Sequence, residues 1–211
     1  TFYDGLGRPV QKKASHEDGQ FATADTVYGD DGVVATQSLP YYTLGPAKNA
    51  PTANTALLTT YEYDAAKRPT RTTTVNGSTM YVYTDWQSRV TDPEGNIKEY
   101  EKDAAGNLSA VTEYIDDTPY VTRYTYDADN QLVKVTDALG NVRSFAYNVA
   151  DKKVRSEDLH APTDTTFGVA TYAYDLAGNM TQEVTPKDDT ITYAYDALNR
   201  KTVEGDKTYG Y

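Results

Sequence analysis

The 211-residue chain has no cysteine, one tryptophan, two histidines and few aliphatic residues. The lack of cysteine excludes disulfides and thiol chemistry, although it gives no firm indication of compartment. No apolar run is long enough to cross a bilayer and no signal peptide is recognisable, so we expect no membrane insertion by this segment. A net charge of −11 disfavours nucleic acid as a partner. Scarce Leu, Ile, Val and Phe with such a charge are typical of disorder.

Tyrosine and threonine overturn that expectation of disorder. The chain has 20 Tyr, and both residue types favour strands, where they stand in register with turn signals. The low aliphatic content still argues against a thick, dry core. We therefore expect an all-β protein: a thin, curved sheet with polar faces.

A tyrosine–aspartate motif, Y-x-Y-D-x-x-G-N, recurs along the chain. Its clearest copies run from Tyr172 to Asn179 and from Tyr193 to Arg200, and the motif Asp or Asn falls at 64, 85, 103, 127, 148, 175 and 196. A local unit that repeats about every 21 residues indicates an array. The predicted structural motif residues are Tyr3, Asp4, Gly7, Tyr63, Asp64, Asp103, Gly106, Asn107, Tyr126, Asp127, Tyr147, Tyr174, Asp175, Gly178, Asn179, Tyr195, Asp196 and Asn199.

A second turn signal lies near the middle of each interval, so one repeat predicts two strands of ordinary length. The even spacing favours a long antiparallel meander of hairpins. Residues 57–211 are interpreted as a continuous array with 13 or 14 strands and little or no helix. Residues 1–56 are interpreted as a degenerate first repeat followed by a loop-rich insertion, with one strand pair near 21–28 and 33–38.

The turn residues support this meander. The position three after the motif Asp or Asn is mostly Gly, Asn or Asp, which tolerate positive φ. Lys67 and Ser88 are exceptions, so those two turns are predicted to differ in type. Asn76-Gly77 is the strongest short hairpin signal.

The paired tyrosines of the motif should lie on one face, because side chains alternate along a strand. The favoured interpretation is packing, with the rings forming aromatic ladders across neighbouring strands. The alternative is a platform on which sugars stack.

Little in the sequence suggests catalysis, and we expect no enzyme activity, cofactor or metal site. His16 and His160 lie in polar, loop-like stretches and are interpreted as surface residues. Asp127, Asp129 and Asn130 only faintly resemble a calcium loop. The paired carboxylates at 116–117 and 188–189 fall at predicted hairpin tips, where they cannot face each other across a cleft. Trp86 is expected to pack over a turn.

The repeated Y-D-x-x-G-N/R signature resembles the YD or Rhs repeats, over positions 1–11 and 57–211. The segment from Tyr3 to Gln11 is similar to the one that opens repeat arrays in bacterial toxin-complex and Rhs proteins. The resemblance implies a spiralling strip of sheet that closes into a hollow shell around a toxic C-terminal polypeptide; teneurins use a similar shell in adhesion. Asp92-Pro93-Glu94-Gly95 matches that family's self-cleavage signature only superficially, and we interpret it as an ordinary turn.

These features predict a stretch of shell wall whose parent encapsulates and helps deliver a toxin or effector polypeptide. Its partners would be other repeats of the shell and the enclosed polypeptide, and its location secreted or on the bacterial cell surface. The alternative is an extracellular carbohydrate-binding or adhesion module that recognises cell-surface glycan. Both ends of the chain interrupt a motif copy, so a longer parent is expected; Tyr211 would end one residue before the next motif Asp.

Overall fold

The computed structural model describes residues 1–210, so Tyr211 lies outside the described residues. The chain divides into two compact units, Thr1–Glu99 and Tyr100–Tyr211. The strands are β1 (Phe2–Tyr3), β2 (Pro9–Ser15), β3 (Gln20–Tyr28), β4 (Val34–Ser38), β5 (Tyr41–Leu44), β6 (Leu58–Tyr63), β7 (Pro69–Thr74), β8 (Gly77–Tyr83), β9 (Gln87–Thr91), β10 (Ile97–Lys102), β11 (Leu108–Ile115), β12 (Thr118–Tyr126), β13 (Leu132–Thr136), β14 (Val142–Tyr147), β15 (Lys153–Glu157), β16 (Val169–Tyr174), β17 (Met180–Val184), β18 (Thr190–Tyr195), β19 (Lys201–Glu204) and β20 (Lys207–Thr208). One-turn 3-10 helices span Glu17–Gly19 and Thr55–Leu57.

The first unit is an antiparallel meander with a fork. β1 pairs with β2 and β2 with β3, and the long strand β3 then divides its outer edge between two partners. Its first half pairs with β5, whereas its second half pairs with β4. β4 leads on through β6, β7 and β8 to β9. At the fork, where β3 changes from one partner to the other, the backbone N–H of Asp25 donates to Ser38 Oγ at 2.8 Å. This backbone donor is therefore satisfied by a side chain.

The second unit is regular. Each strand from β11 to β19 pairs antiparallel with the next strand in sequence. A register shift recurs beside the motif tyrosines, where Tyr126, Tyr147, Tyr174 and Tyr195 each pair with the residue six positions on. The repeated shift places one bulge at each of these four motif turns, which increases the local twist.

The all-β antiparallel meander is confirmed, and several details differ from the sequence prediction. Residues 57–210 hold fifteen strands, β6–β20, one or two more than predicted. The strand pair expected near 21–28 and 33–38 is present as β3 and β4, whereas β5 was not predicted. The hairpin at Asn76-Gly77 exists, but Thr74 pairs with Gly77. Its two-residue loop is therefore Val75-Asn76, one position earlier than the Asn-Gly signal indicates.

Very little of the protein is core. Among the described residues, the buried apolar side chains are Ala110, 2% exposed, and Ala170, 5% exposed. The buried polar residues outnumber them: Gln11, Thr23, Asp25, Thr112 and His160. This distribution agrees with the thin sheet expected from the composition. Within residues 1–210, no helix is long and apolar enough to cross a membrane.

Candidate functional site

Seven of the eight motif turns are five-residue loops that close on their own aspartate or asparagine. In the first copy, the Asp4 N–H donates to the Arg8 carbonyl at 3.0 Å, and the Gly7 N–H donates to the Asp4 carbonyl at 3.1 Å. Asp4 Oδ1 accepts the N–H groups of Leu6 and Arg8, both at 2.9 Å, and Oδ2 accepts Arg8 Nε at 2.7 Å. One carboxylate thus satisfies two backbone donors that a tight turn would leave unpaired, together with one side-chain donor. The loops built in this way span 4–8, 64–68, 103–107, 127–131, 148–152, 175–179 and 196–200.

Hydrogen bonding to the ionised form lowers the pKa of the carboxyls of Asp4, Asp64, Asp103, Asp175 and Asp196. The Arg8 backbone N–H is the largest cause at Asp4, and the Asn179 backbone N–H is the largest cause at Asp175. At Asp103 the largest influence, loss of hydration, raises the pKa, yet the hydrogen bonds from Asn107 and its neighbours outweigh it and the pKa is lowered. These five loops are therefore built around charged aspartates.

Two intervening turns use the same aspartate loop, which was not predicted from the sequence, and a third, from Thr185 to Asp189, has the same backbone hydrogen bonds. Asp92 Oδ1 accepts the Asn96 N–H at 2.8 Å, and Asp137 Oδ1 accepts the Asn141 N–H at 2.8 Å. Gly95 and Gly140 occupy the left-handed position, with φ of 90° and 85°. The signal was present as D-x-x-G-N in both turns, without the tyrosines before it. The segment Asp92 to Gly95 is thus a turn, as interpreted.

The turns that contain Lys67 and Ser88 were both predicted to differ in type from the other motif turns, and only one of them does. Lys67 adopts φ of 62°, and its N–H donates to the Asp64 carbonyl at 2.9 Å. The prediction that this turn differs in type is wrong, because the loop tolerates a left-handed lysine. The turn at Asp85 does differ: the Thr84 N–H donates to Gln87 O at 2.9 Å, and Tyr83 pairs with Ser88 without a register shift.

Successive motif loops of the second unit contact one another through the last two loop positions. Asn107 Nδ2 donates to Asn130 Oδ1 at 2.9 Å, and Asn179 Nδ2 donates to Asn199 Oδ1 at 2.9 Å. Between these, Gln131 Nε2 donates to an Asp151 oxygen at 2.6 Å. Asn and Asp at the fourth loop position therefore do more than tolerate positive φ, since their oxygens accept a bond from the preceding loop.

Four tyrosines at strand ends make a second set of links. The hydroxyl of each donates to the backbone carbonyl of the residue that pairs with the strand-end tyrosine of the preceding repeat. Tyr147 reaches Leu132 O at 3.0 Å, Tyr174 reaches Lys153 O at 2.9 Å, and Tyr63 reaches Val34 O at 2.9 Å. Tyr28 does the same to Pro9 O at 3.3 Å. Each of these four bonds ties a repeat to the one before it.

Both rings of each Y-x-Y pair are half-buried on one face, as predicted. The predicted aromatic ladder between neighbouring strands is not observed within residues 1–210, where the ring pairs are His16–Tyr42, Tyr61–Tyr63 and His160–Phe167. Strands that carry a Y-x-Y pair alternate with strands that do not. Equivalent rings are therefore two strand spacings, about 10 Å, apart, which is too far for two rings to contact each other. Cations occupy the space between: Arg8 lies 4.1 Å from the Tyr28 ring centre, Arg68 4.5 Å from Tyr83 and Lys153 5.0 Å from Tyr172.

A different polar site lies at the fork of the first unit. Asp25, 3% exposed, accepts Gln11 Nε2 at 2.7 Å, the Tyr41 hydroxyl at 2.6 Å and the Thr52 N–H at 2.9 Å. Burial, followed by the hydrogen bond and charge of Asp25, raises the pKa of Tyr41 to about 12. No local sequence pattern predicts this cluster, because its members are spread over three strands and a loop.

The histidines, Trp86 and the paired aspartates do not come together in one site. His160 is buried rather than on the surface as predicted: it stacks on Phe167 at 3.6 Å and pairs with Val142. His16 is exposed and contacts Tyr42, while Trp86 is 57% exposed. Asp116 and Asp117 form a hairpin tip between the paired residues Ile115 and Thr118. Within the described part of the chain, no group of three His, Asp or Glu side chains is placed to hold a metal.

The repeated motif loops, bulges and alternating tyrosine strands define a repeat architecture. The family model described as Teneurin YD-shell matches residues 54–211. The chain belongs to the teneurin YD-shell family. No curated protein matches the sequence.

Two solved structures share the fold of this YD-shell chain. The crystal structure of TcdB2-TccC3-Cdc42 covers 95% of the chain with 17% identity and a TM-score of 0.77. The Tc holotoxin pore of Photorhabdus luminescens, with the mutation TccC3-D651A, covers 92% with 18% identity and a TM-score of 0.72. This chain spans 12% of the matched chain in each. It therefore has the fold of a segment of those toxin-complex proteins.

Proposed function

We propose that this chain is a segment of the wall of a YD shell and that its parent encloses and helps deliver a toxin or effector polypeptide. The observation that carries the proposal is the repeat-to-repeat linkage of motif loops and motif tyrosines. A wall needs each repeat to bind its neighbours on both sides, and stability that accumulates by nearest-neighbour contacts suits an array of indefinite length. Family membership and the toxin-complex fold support the same function.

The proposed role is containment, without catalysis by this segment. Its partners would be other repeats of the same shell and the enclosed polypeptide, and the parent would be secreted or displayed on a cell surface. The division between a degenerate first region, 1–56, and a continuous array, 57–211, belongs to this proposal. The expected curl of the sheet into part of a spiralling, hollow shell belongs to it as well.

Glycan recognition is not favoured as the function. Sugar stacking requires exposed ring faces, whereas Tyr63, Tyr147 and Tyr174 are half-buried and commit their hydroxyls to backbone carbonyls. Arg8 and Arg68 cover further ring faces.

The experiment is limited proteolysis of the full-length parent, followed by mass spectrometry of its C-terminal polypeptide. The matched control is the same polypeptide expressed without the shell. We expect the enclosed polypeptide to survive a protease concentration that digests the free form, and to lose this protection when the shell is opened by denaturant. Equal digestion rates for the two forms would contradict containment.

A further inference from the structure

The segment between β5 and the second 3-10 helix, residues 45–54, lies against the first unit like a strap. Gln11 holds the middle of this strap at both backbone groups of Asn49, accepting its N–H at 3.0 Å and donating to its carbonyl at 3.2 Å. Asp25 holds the strap further along, at the Thr52 N–H. Lys13 Nζ donates to the Gly45 carbonyl at 3.0 Å, at the start of the strap.

Lys13 also contacts the side chain of Asn49, with its Nζ hydrogen-bonded to Asn49 Oδ1. An amine therefore meets a carboxamide whose own backbone is fixed on both sides by Gln11. Lys13 and Asn49 are both half-buried, and the Phe21 ring centre lies 5.7 Å from the amine. Fixed reacting groups in contact need little further ordering before they react.

We propose that Lys13 and Asn49 are joined by an intramolecular isopeptide bond. The neutral form of the Lys13 amine attacks Asn49 Cγ, a bond forms between Nζ and Cγ, and the bond from Cγ to Nδ2 breaks. The lysine ammonium and the carboxamide become a secondary amide and an ammonium ion, so atoms and charge balance. The exchange needs no oxidant and no cofactor.

The arrangement around the pair suits such a link. Asp25 is the buried carboxylate of the cluster, and it acts on the pair through Gln11 as a positioning residue, since its Oδ1 accepts Gln11 Nε2 at 2.7 Å. The linked residues are 36 positions apart, in a chain that has no cysteine to close a loop by a disulfide. A covalent cross-link restricts the unfolded chain, as a disulfide does, so the bond would hold the strap when its hydrogen bonds open.

The test is the intact mass of the full 211-residue chain, measured after circular dichroism has shown that it is folded. We expect a mass lower than the sequence mass by one ammonia. Tryptic digestion should yield one branched peptide that joins the segment around Lys13 to the segment around Asn49, with no cleavage after Lys13. Lys13→Arg keeps a cation but has no amine that can form this bond, so it should restore the sequence mass. Lys12→Arg, at the exposed neighbouring lysine, should leave the mass deficit in place.

A folded chain that keeps its full sequence mass after prolonged incubation would overturn the proposal. Conversion of Asn49 to aspartate would overturn it too, because water rather than Lys13 would then have attacked the carboxamide. A mass deficit that persists in Lys13→Arg would place the lost ammonia elsewhere and would have the same consequence. For the positioning role, Asp25→Asn should lower the cross-linked fraction at a given time, and Asp25→Glu should restore part of it; equal fractions in all three proteins would contradict it.

Discussion

The fork of the first unit and the regular repeats of the second join antiparallel strands by opposite means. At the fork, one buried carboxylate, Asp25, gathers three donors from β2, β5 and the strap. In the repeats, partly exposed carboxylates such as Asp175 each stabilise a single loop, and neighbouring loops share small contacts. The fork concentrates its stability in a few groups, whereas the array distributes it.

This difference has a physical origin. An array can be extended only if every repeat makes the same bonds with its neighbours, so no residue becomes indispensable. A fork occurs once, leaves strand edges and donors unmatched, and needs specific polar partners to satisfy them. Loss of one such partner in a buried site has a larger effect than loss of one partner in an exposed loop.

The strongest test of this comparison is Asp25→Ala. The substitution leaves the donors of Gln11, Tyr41 and Thr52 unpaired in a buried site, and we expect a loss of about 3 kcal/mol in the free energy of unfolding. Urea denaturation measures it, and Asp30→Ala, at an exposed aspartate of the same unit, is the matched control. A loss no greater than the control's would remove the distinction between fork and array.

A rise in pH should weaken the fork. Tyr41 has its pKa raised to about 12 in the folded protein by burial and by Asp25, against 10.0 ordinarily. The unfolded chain therefore loses the Tyr41 proton first, and the stabilisation present below pH 10 is lost as the pH rises from 10 towards 12. Hydrogen exchange of the strap amides should accelerate in that range. Tyr41→Phe should abolish the acceleration, and Tyr42→Phe, at a mostly exposed tyrosine, should retain it.

Within the array, the left-handed loop position should be the most sensitive to substitution. Gly178 has φ of 86°, and a Cβ there would lie 3.3 Å from Lys152 Cε. Gly178→Ala should therefore cost about 1–2 kcal/mol of unfolding free energy, measured by urea denaturation. Asp188→Gly offers the opposite change at φ of 62° and should be neutral or slightly stabilising. Equal effects of the two substitutions would refute the role assigned to backbone conformation.

The tyrosine links should each contribute less than the fork. Tyr174→Phe removes the hydroxyl that donates to Lys153 O and should lower the free energy of unfolding by about 1 kcal/mol. Tyr120→Phe, at a 40% exposed tyrosine, serves as the control in the same thermal denaturation series. If both variants melt like the wild type, the hydroxyl bonds do not join the repeats.

The smallest effect is expected from a single motif carboxylate. The pKa of Asp175 is lowered below its ordinary 3.8, chiefly by the Asn179 N–H. Its contribution is present above pH 3.8 and is lost as the pH falls below that value. Asp175→Asn keeps an oxygen acceptor, so it should change stability little at pH 7 and make the acid side of the stability profile shallower. If the free energy of unfolding of Asp175→Asn falls with acid as steeply as that of the wild type, the charge of Asp175 does not contribute to stability.

Much of the array followed from sequence because its determinants are local. The aspartate, the left-handed residue and the tyrosine pair act within ten positions, so their spacing predicted turns, strands and a common tyrosine face. Lys67 shows the limit of this reasoning, since the loop imposes a left-handed backbone on a residue type that seldom adopts it. The turns at Asp92 and Asp137 show another limit, because they form the same loop without the preceding tyrosines that define the motif.

The sequence alone determined the strand-forming composition, the period, the motif loops and the antiparallel order, since each depends on residues that are neighbours in the chain. Only the tertiary structure decided what the tyrosine hydroxyls bind, which loop oxygen meets which amide, why His160 is buried, and how Gln11, Asp25, Tyr41 and Asn49 come together. Most of those contacts join residues 14 to 38 positions apart, and the strand register that brings them together is set by the whole sheet.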